Sequence, residues 1–197
     1  RELRYDGPDL PSIWSRDESQ AWVILAQTFS KSFSPGLRVG FGVLPADLVQ
    51  PVLDRKGNED FGSPHLNQQL LTAVLEGGLY REHVELLRGA YRRKRDAMLQ
   101  AADRYFQDLN GVEWVRPLGG LYVWVTVPDG IETGFNSHLF QQATQVEKVM
   151  YVPGELCFAT SDGKRPNHHL RLSFGAQTPD GIDEGMQRLA RALRHVL

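Results

Sequence analysis

The sequence is poor in cysteine. Cys157 stands alone among 197 residues, so no internal disulfide staples the fold, and a lone thiol fits a reducing compartment, with the cytoplasm as the default. No apolar run approaches the roughly 20 residues that span a bilayer, and the polar start Arg1-Glu2-Leu3-Arg4-Tyr5 is not a signal peptide. A membrane role is not expected. Neither sign of charge dominates: 22 Lys and Arg face 24 Asp and Glu, for a net charge of -2. That balance gives no whole-chain basic field for nucleic acid; a small anion needs only a local positive site. The common nucleotide and hydrolase signatures are missing as well. Gly40-Phe41-Gly42 is not GxGxxG, and no serine sits in a GxSxG elbow. Cys157 has no CxxC partner, and His168 and His169, adjacent on an expected strand, are read as pointing to opposite faces, so no metal site is expected. The chain also begins without methionine, which reads as a fragment or a processed product.

What is present is ordinary for a soluble globular protein, with 41% hydrophobic and 10% aromatic residues. Residues 1–20 read as a loop broken by Gly7-Pro8 and Leu10-Pro11. Trp22-Val23-Ile24-Leu25-Ala26 is a continuous apolar run, the pattern of a strand covered on both faces in a parallel or mixed sheet. Val39 to Leu44 is a second such run, and the two are expected to be neighbours. A short helix from Pro45 to about Leu53 and a polar loop over 55–62 follow. Helical periodicity starts near Asn67 and continues to Tyr105, with a break or bend at Gly77-Gly78. The cluster Arg92-Arg93-Lys94-Arg95-Asp96 inside it reads as a solvated face. Past Asn110-Gly111 the texture changes to short strands at 112–115, 120–127, 149–152 and 169–174, with a helix over 135–146 and a turn at Pro153-Gly154. The last helix opens with Thr178 as cap and Pro179 at its first position, and shows Ile182, Met186, Leu189, Leu193 and Leu197 on one stripe. A boundary near residue 85 separates a sheet remnant from a compact unit of strands and helices.

Thr28-Phe29-Ser30-Lys31-Ser32-Phe33-Ser34-Pro35-Gly36-Leu37-Arg38 lies between the first two apolar runs. An exposed loop lysine is the plain reading of Lys31. Burial between strands would instead favour the neutral amine and lower its pKa, as a Schiff-base lysine needs. The hydroxyls of Thr28, Ser30, Ser32 and Ser34, the tight turn and the fixed charge of Arg38 make a phosphate-bearing ligand a second reading. The strict alternation of His169-Leu170-Arg171-Leu172-Ser173 puts His169, Arg171 and Ser173 on one strand face.

Thr28-Phe29-Ser30-Lys31 followed by Pro35-Gly36-Leu37-Arg38-Val39-Gly40 resembles the cofactor-lysine motif of the class I/II aminotransferases of fold type I. It is most similar to the branch with 2-aminoadipate, kynurenine and broad-specificity enzymes. Gly119-Gly120-Leu121-Tyr122-Val123-Trp124, Tyr151-Val152-Pro153-Gly154 and Leu170-Arg171-Leu172-Ser173-Phe174 resemble later landmarks of that family in its order. The resemblance implies an α/β fold, with residues 1–85 the C-terminal part of a large domain that binds pyridoxal 5'-phosphate and 86–197 a small α+β domain. It implies that Lys31 bonds to the cofactor aldehyde, that Thr28, Ser30 and Arg38 hold its phosphate, and that Arg171 grips the α-carboxylate of an amino acid. Ser63 and Asn67 resemble a loop that reaches the partner subunit's site in a homodimer, or else cap a helix.

The reaction so implied is a ping-pong exchange of an amino group between an amino acid and a 2-oxo acid. The family's upstream phosphate-binding helix, ring-stacking aromatic, asparagine, tyrosine and aspartate match nothing in this chain, so the chain alone is expected to bind the cofactor poorly and turn over little. Two other readings share the motif: a lyase or decarboxylase on the same lysine, and the sensing domain of a winged-helix transcription regulator.

Overall fold

The structure is a computed structural model that describes residues 2–159 and 165–197. It divides into two compact units, Arg1–Arg88 and Gly89–Leu197. The first contains β1 (Leu25–Thr28), β2 (Gly40–Val43), α1 (Ala46–Asp60), α2 (His65–Glu76) and the start of α3 (Leu79–Tyr105).

β1 and β2 pair antiparallel, with Leu25 opposite Val43 and Thr28 opposite Gly40. A Cβ on Gly40 would stand 2.7 Å from the Gln27 carbonyl oxygen, so glycine is what lets the two backbones approach. The first strand begins later than its apolar run and is not covered on both faces: Trp22 is 86% exposed, and β1 alternates between half-buried and exposed. Asp17 explains the shift. Its Oδ2 accepts the N–H groups of Trp22 at 2.8 Å and Val23 at 2.9 Å, which removes both from a strand ladder. The Trp22 bond, with the Ser19 hydroxyl next, holds the Asp17 carboxyl below its usual range.

α1 runs through the stretch expected to be a polar loop. Its exposed face carries charged and polar pairs four residues apart, Gln50 with Asp54, Arg55 with Glu59 and Lys56 with Asp60, the spacing at which helix side chains meet. The helix stops where Phe61 turns left-handed at φ 53° and Gly62 N–H donates to Asp60 Oδ1. α2 ends at Gly77, and Gly78 at φ 76° begins the new direction of α3.

The second unit contains the rest of α3, β3 (Glu113–Trp114), β4 (Tyr122–Thr126), α4 (His138–Gln141), β5 (Val152–Pro153), β6 (His169–Ser173) and α5 (Pro179–Val196). The four strands form one antiparallel sheet in the order β3-β4-β6-β5. Val123, Val125, Leu170 and Leu172 alternate onto one face and are buried, as are Phe106 of the segment after α3 and the stripe Ile182, Met186, Leu189 and Leu193 of α5. Thr178 caps α5, its Oγ1 accepting from Gly181 N–H at 3.2 Å. Leu197, at the end of that stripe, is exposed.

The structure departs from four local expectations. The helix over 135–146 is one turn of α-helix capped by Ser137, then a π turn at Gln142–Val146. Val149 donates back to the Ala143 carbonyl at 2.9 Å, so β5 starts only at Val152. The solvated face holds for Arg92 and Arg93, but Arg95 is 6% exposed. Its guanidinium donates to Asp96 Oδ1 and the Pro117 carbonyl, and Lys94 Nζ donates to the Gly175 carbonyl at 2.9 Å. His168 precedes β6, so strand alternation does not separate it from His169, and the two rings lie 4.1 Å apart. No group of three or more His, Cys, Asp or Glu gathers among the described residues, and no described helix is long and apolar enough to cross a membrane.

Candidate functional site

The turn that follows β1 is built by the backbone. Phe33 and Ser34 N–H groups both donate to the Phe29 carbonyl, at 2.8 and 3.1 Å, and Phe29 N–H donates to Val39 O at 3.2 Å. Thr28 Oγ1 donates to Ser30 Oγ at 2.9 Å and accepts from Ser30 N–H at 3.1 Å. Lys31 occupies the turn and is exposed, as are Thr28 and Arg38, while Ser30 is half-buried. Lys31 is therefore the exposed loop lysine of the plain reading and not one buried between strands, because β1 and β2 expose the faces on either side of it. Lys31 makes no hydrogen bond or ion pair among the described residues. Arg38 is left-handed at φ 54° and donates to the Pro35 carbonyl at 3.2 Å.

The inner side of the turn is anchored by Tyr80, which sequence reasoning missed, through a hydroxyl read as part of the phosphate cradle. Ser32 is 4% exposed and accepts a hydrogen bond from the Tyr80 hydroxyl at 2.8 Å. The rings of Phe29 and Phe33 lie 5.8 and 6.3 Å from the Tyr80 ring. Burial raises the Tyr80 pKa, with the Ser32 bond opposing it. Nothing in the local pattern around Tyr80 indicates this tie, since its partner is 48 residues away. Asn67 Nδ2 donates to Leu37 O at 2.9 Å, closing the other end of the segment. Neither Ser63 nor Asn67 caps α2, whose cap position is Pro64 with no side-chain bond.

In the second unit, Arg171 sits in mid-β6, opposite Trp124 on β4 and Val152 on β5. His169 shares its face, as the alternation predicts. Burial first, and the neighbouring His168 second, lower the His169 pKa; its Nδ1 lies 3.1 Å from Thr126 Oγ1. Trp124, Phe158 and His169 form a ring cluster with centroids 5.4 to 5.8 Å apart. Cys157 is exposed beside Phe158. The Arg171 guanidinium has a buried Nε without a hydrogen-bond partner and lies over the Tyr122 ring, Cζ to centroid 4.5 Å. Tyr122 belongs to the quoted glycine-pair motif, but only the β4–β6 register reveals that it faces Arg171. One site thus offers an unengaged amine among hydroxyls with a guanidinium following, and the other a guanidinium ready for a carboxylate.

Residues 2–189 match the family described as aminotransferase class I and II. A 2-aminoadipate transaminase of Thermus thermophilus is 38% identical over 100% of this chain and 48% of its own length. The crystal structure of LysN, an alpha-aminoadipate aminotransferase from Thermus thermophilus complexed with N-(5'-phosphopyridoxyl)-L-leucine, superposes with a TM-score of 0.86 at 38% identity. It too covers 100% of this chain and 48% of that one. An uncharacterised HTH-type transcriptional regulator of Bacillus subtilis, YisV, is 29% identical over 89% of this chain and 34% of its own length. The chain spans about half the length of the first of these relatives.

Proposed function

Because the chain belongs to the class I and II aminotransferase family and shares its fold type I architecture, we propose that it forms part of a pyridoxal 5'-phosphate-dependent aminotransferase. The observation that carries the reading is Lys31: an exposed amine without a partner among the described residues, in a turn bearing the Thr28 and Ser30 hydroxyls. These residues fit the cofactor. Arg38 and the two hydroxyls suit a phosphate, since a guanidinium and O–H donors make charge-assisted bonds to its oxygens. The first unit corresponds to the end of a large cofactor-binding domain and the second to a small domain. Ser63, just before α2, and Asn67, in its first turn, belong to a segment that would reach a partner subunit in a homodimer, and the single thiol Cys157 suits a cytoplasmic setting.

When bound, the cofactor supplies an electron sink beside the substrate Cα. Arg171 holds the α-carboxylate through its planar fork, which fixes the Cα–H bond in one orientation. Lys31 Nζ, once free, takes the Cα proton and later returns one, acting as base and then as acid. Exchange runs as a ping-pong sequence: the first substrate leaves as a 2-oxo acid before a second 2-oxo acid enters.

The test is covalent mapping. The full-length protein is loaded with pyridoxal phosphate, reduced with borohydride and digested, and mass spectrometry is expected to place the pyridoxyl group on Lys31. Label on other lysines only, or transamination retained by Lys31→Ala, sinks the proposal. Residues 1–197 alone are expected to label weakly. The match to an HTH-type regulator supports a second reading as a sensing domain. Release of a 2-oxo acid by the full-length protein decides for the enzyme.

A further inference from the structure

Arg171 is held in an unusual way for a charged residue in a sheet. Its Nε is enclosed and makes no hydrogen bond. No carboxylate pairs with the guanidinium among the described residues, although arginines elsewhere in this unit do find acids, as Arg191 finds Glu147 and Arg194 finds Asp108. The interaction the guanidinium does make is with the Tyr122 ring, 4.5 Å from Cζ to the centroid. That is well inside the ~6 Å range of cation–π attraction. Tyr122 stands opposite Ser173, one diagonal step from Arg171 on the same sheet face, so the pleat itself brings ring and guanidinium together.

A ring and an acid hold a guanidinium differently. An acidic partner occupies N–H donors and cancels charge, and an incoming anion has to compete with it. A ring attracts the cation through its face and leaves the N–H fork and the full charge for a ligand. The Tyr122 hydroxyl has no hydrogen bond among the described residues, so the ring alone accounts for the contact.

We infer that Tyr122 is a positioning residue for Arg171: its ring seats the guanidinium so that a ligand's carboxylate meets an oriented, un-neutralised fork. The inference rests on the proposed role of Arg171 as carboxylate holder. Because Tyr122 is 41% exposed, its replacement leaves the core intact, which thermal melts of each variant check.

Two readouts test it. In the 15N-labelled full-length protein, with no cofactor and no turnover, the Arg171 Nε–H resonance is followed during titration with acetate. Tyr122→Leu is expected to remove the ring-current displacement of that resonance and weaken its acetate dependence about 5-fold, within the range of cation–π contacts; Tyr122→Phe is expected to preserve both. In the cofactor-loaded full-length protein, Tyr122→Leu is expected to raise KM for the amino acid about 5-fold with kcat changed less than about 2-fold, and Tyr122→Phe to match the parent. An Arg171 resonance and KM indifferent to Tyr122→Leu overturns the inference. So does a phenylalanine as damaging as leucine, or a loss in kcat without one in KM. Complete absence of transamination instead sinks the proposed function, while the resonance still reports on Tyr122.

Discussion

Gly154→Ala tests how closely the edge of the second sheet is built against the strand that carries Arg171. Gly154 follows β5, whose Pro153 pairs with Leu170, and is buried. A Cβ there would lie 2.5 Å from His169 Cβ, 2.7 Å from its carbonyl oxygen and 2.8 Å from its carbonyl carbon. Carbon atoms rest about 3.5–4.0 Å apart, so the new methyl is roughly 1 Å too near three atoms, two of them backbone. β6 cannot retreat freely, because its other edge pairs with β4 from His169 to Ser173. Overpacking of this kind costs about 1–3 kcal/mol, and the three simultaneous contacts place Gly154→Ala near the upper end. For a chain of this length that lowers Tm by about 6–12 °C, at 2–4 °C per kcal/mol. Gly57→Ala is the control: nothing lies within 4 Å of its Cβ position in α1, and alanine there is expected to stabilise by about 0.4–1 kcal/mol. Thermal unfolding by circular dichroism reads both. A Gly154→Ala melt within about 1 °C of the parent refutes the stated spacing between β5 and β6.

Two further outcomes are expected. Thr178→Ala removes the side-chain acceptor that caps α5 and is expected to cost about 1 kcal/mol, with Thr178→Ser close to the parent; urea unfolding measures it, and equal midpoints for all three count against the cap. His169 has a folded-state pKa lowered by burial and then by His168. Its contribution to stability is present above the unfolded value near 6.5 and lost as pH falls through the lower folded value. Proton NMR of the His169 ring is expected to titrate below about 6.5, and His168→Asn to bring the midpoint part of the way back. A midpoint at or above the ordinary value contradicts the described surroundings.

The features legible in the sequence are those fixed by neighbours in the chain. α5 announces itself through Thr178, Pro179 and its stripe, and the break at Gly77-Gly78 through residues that serve badly in a helix. The alternation of β6 correctly shares His169 and Arg171 on one face. What is not legible depends on partners distant in sequence. The apolar run at Trp22 reads as a covered strand because periodicity registers hydrophobicity and not what lies against it; Asp17, five residues upstream, takes the N–H groups. α1 outlasts its expected end because a polar stretch with pairs four apart serves an exposed helix as well as a loop.

At the candidate site the division is the same. The Thr28–Arg38 motif is visible as a string, yet the exposure of Lys31 follows from how little covers β1 and β2. The burial of Arg95 follows from carbonyl and carboxylate acceptors placed by the fold, among them Pro117, 22 residues on. Tyr80 and Tyr122 are invisible as partners until the turn and the register are known.

The tie between Ser32 and Tyr80 makes the turn's geometry depend on residues distant in the chain. It closes a span of 48 residues, and the Asn67 to Leu37 bond closes one of 30. Each requires loop-closure entropy to be overcome before the contact returns anything. The Phe33 and Ser34 hydrogen bonds to Phe29 are local, but they leave the far side of the turn unanchored. The setting of Lys31 therefore depends on α2 and the first turn of α3 being docked, and not on the turn alone.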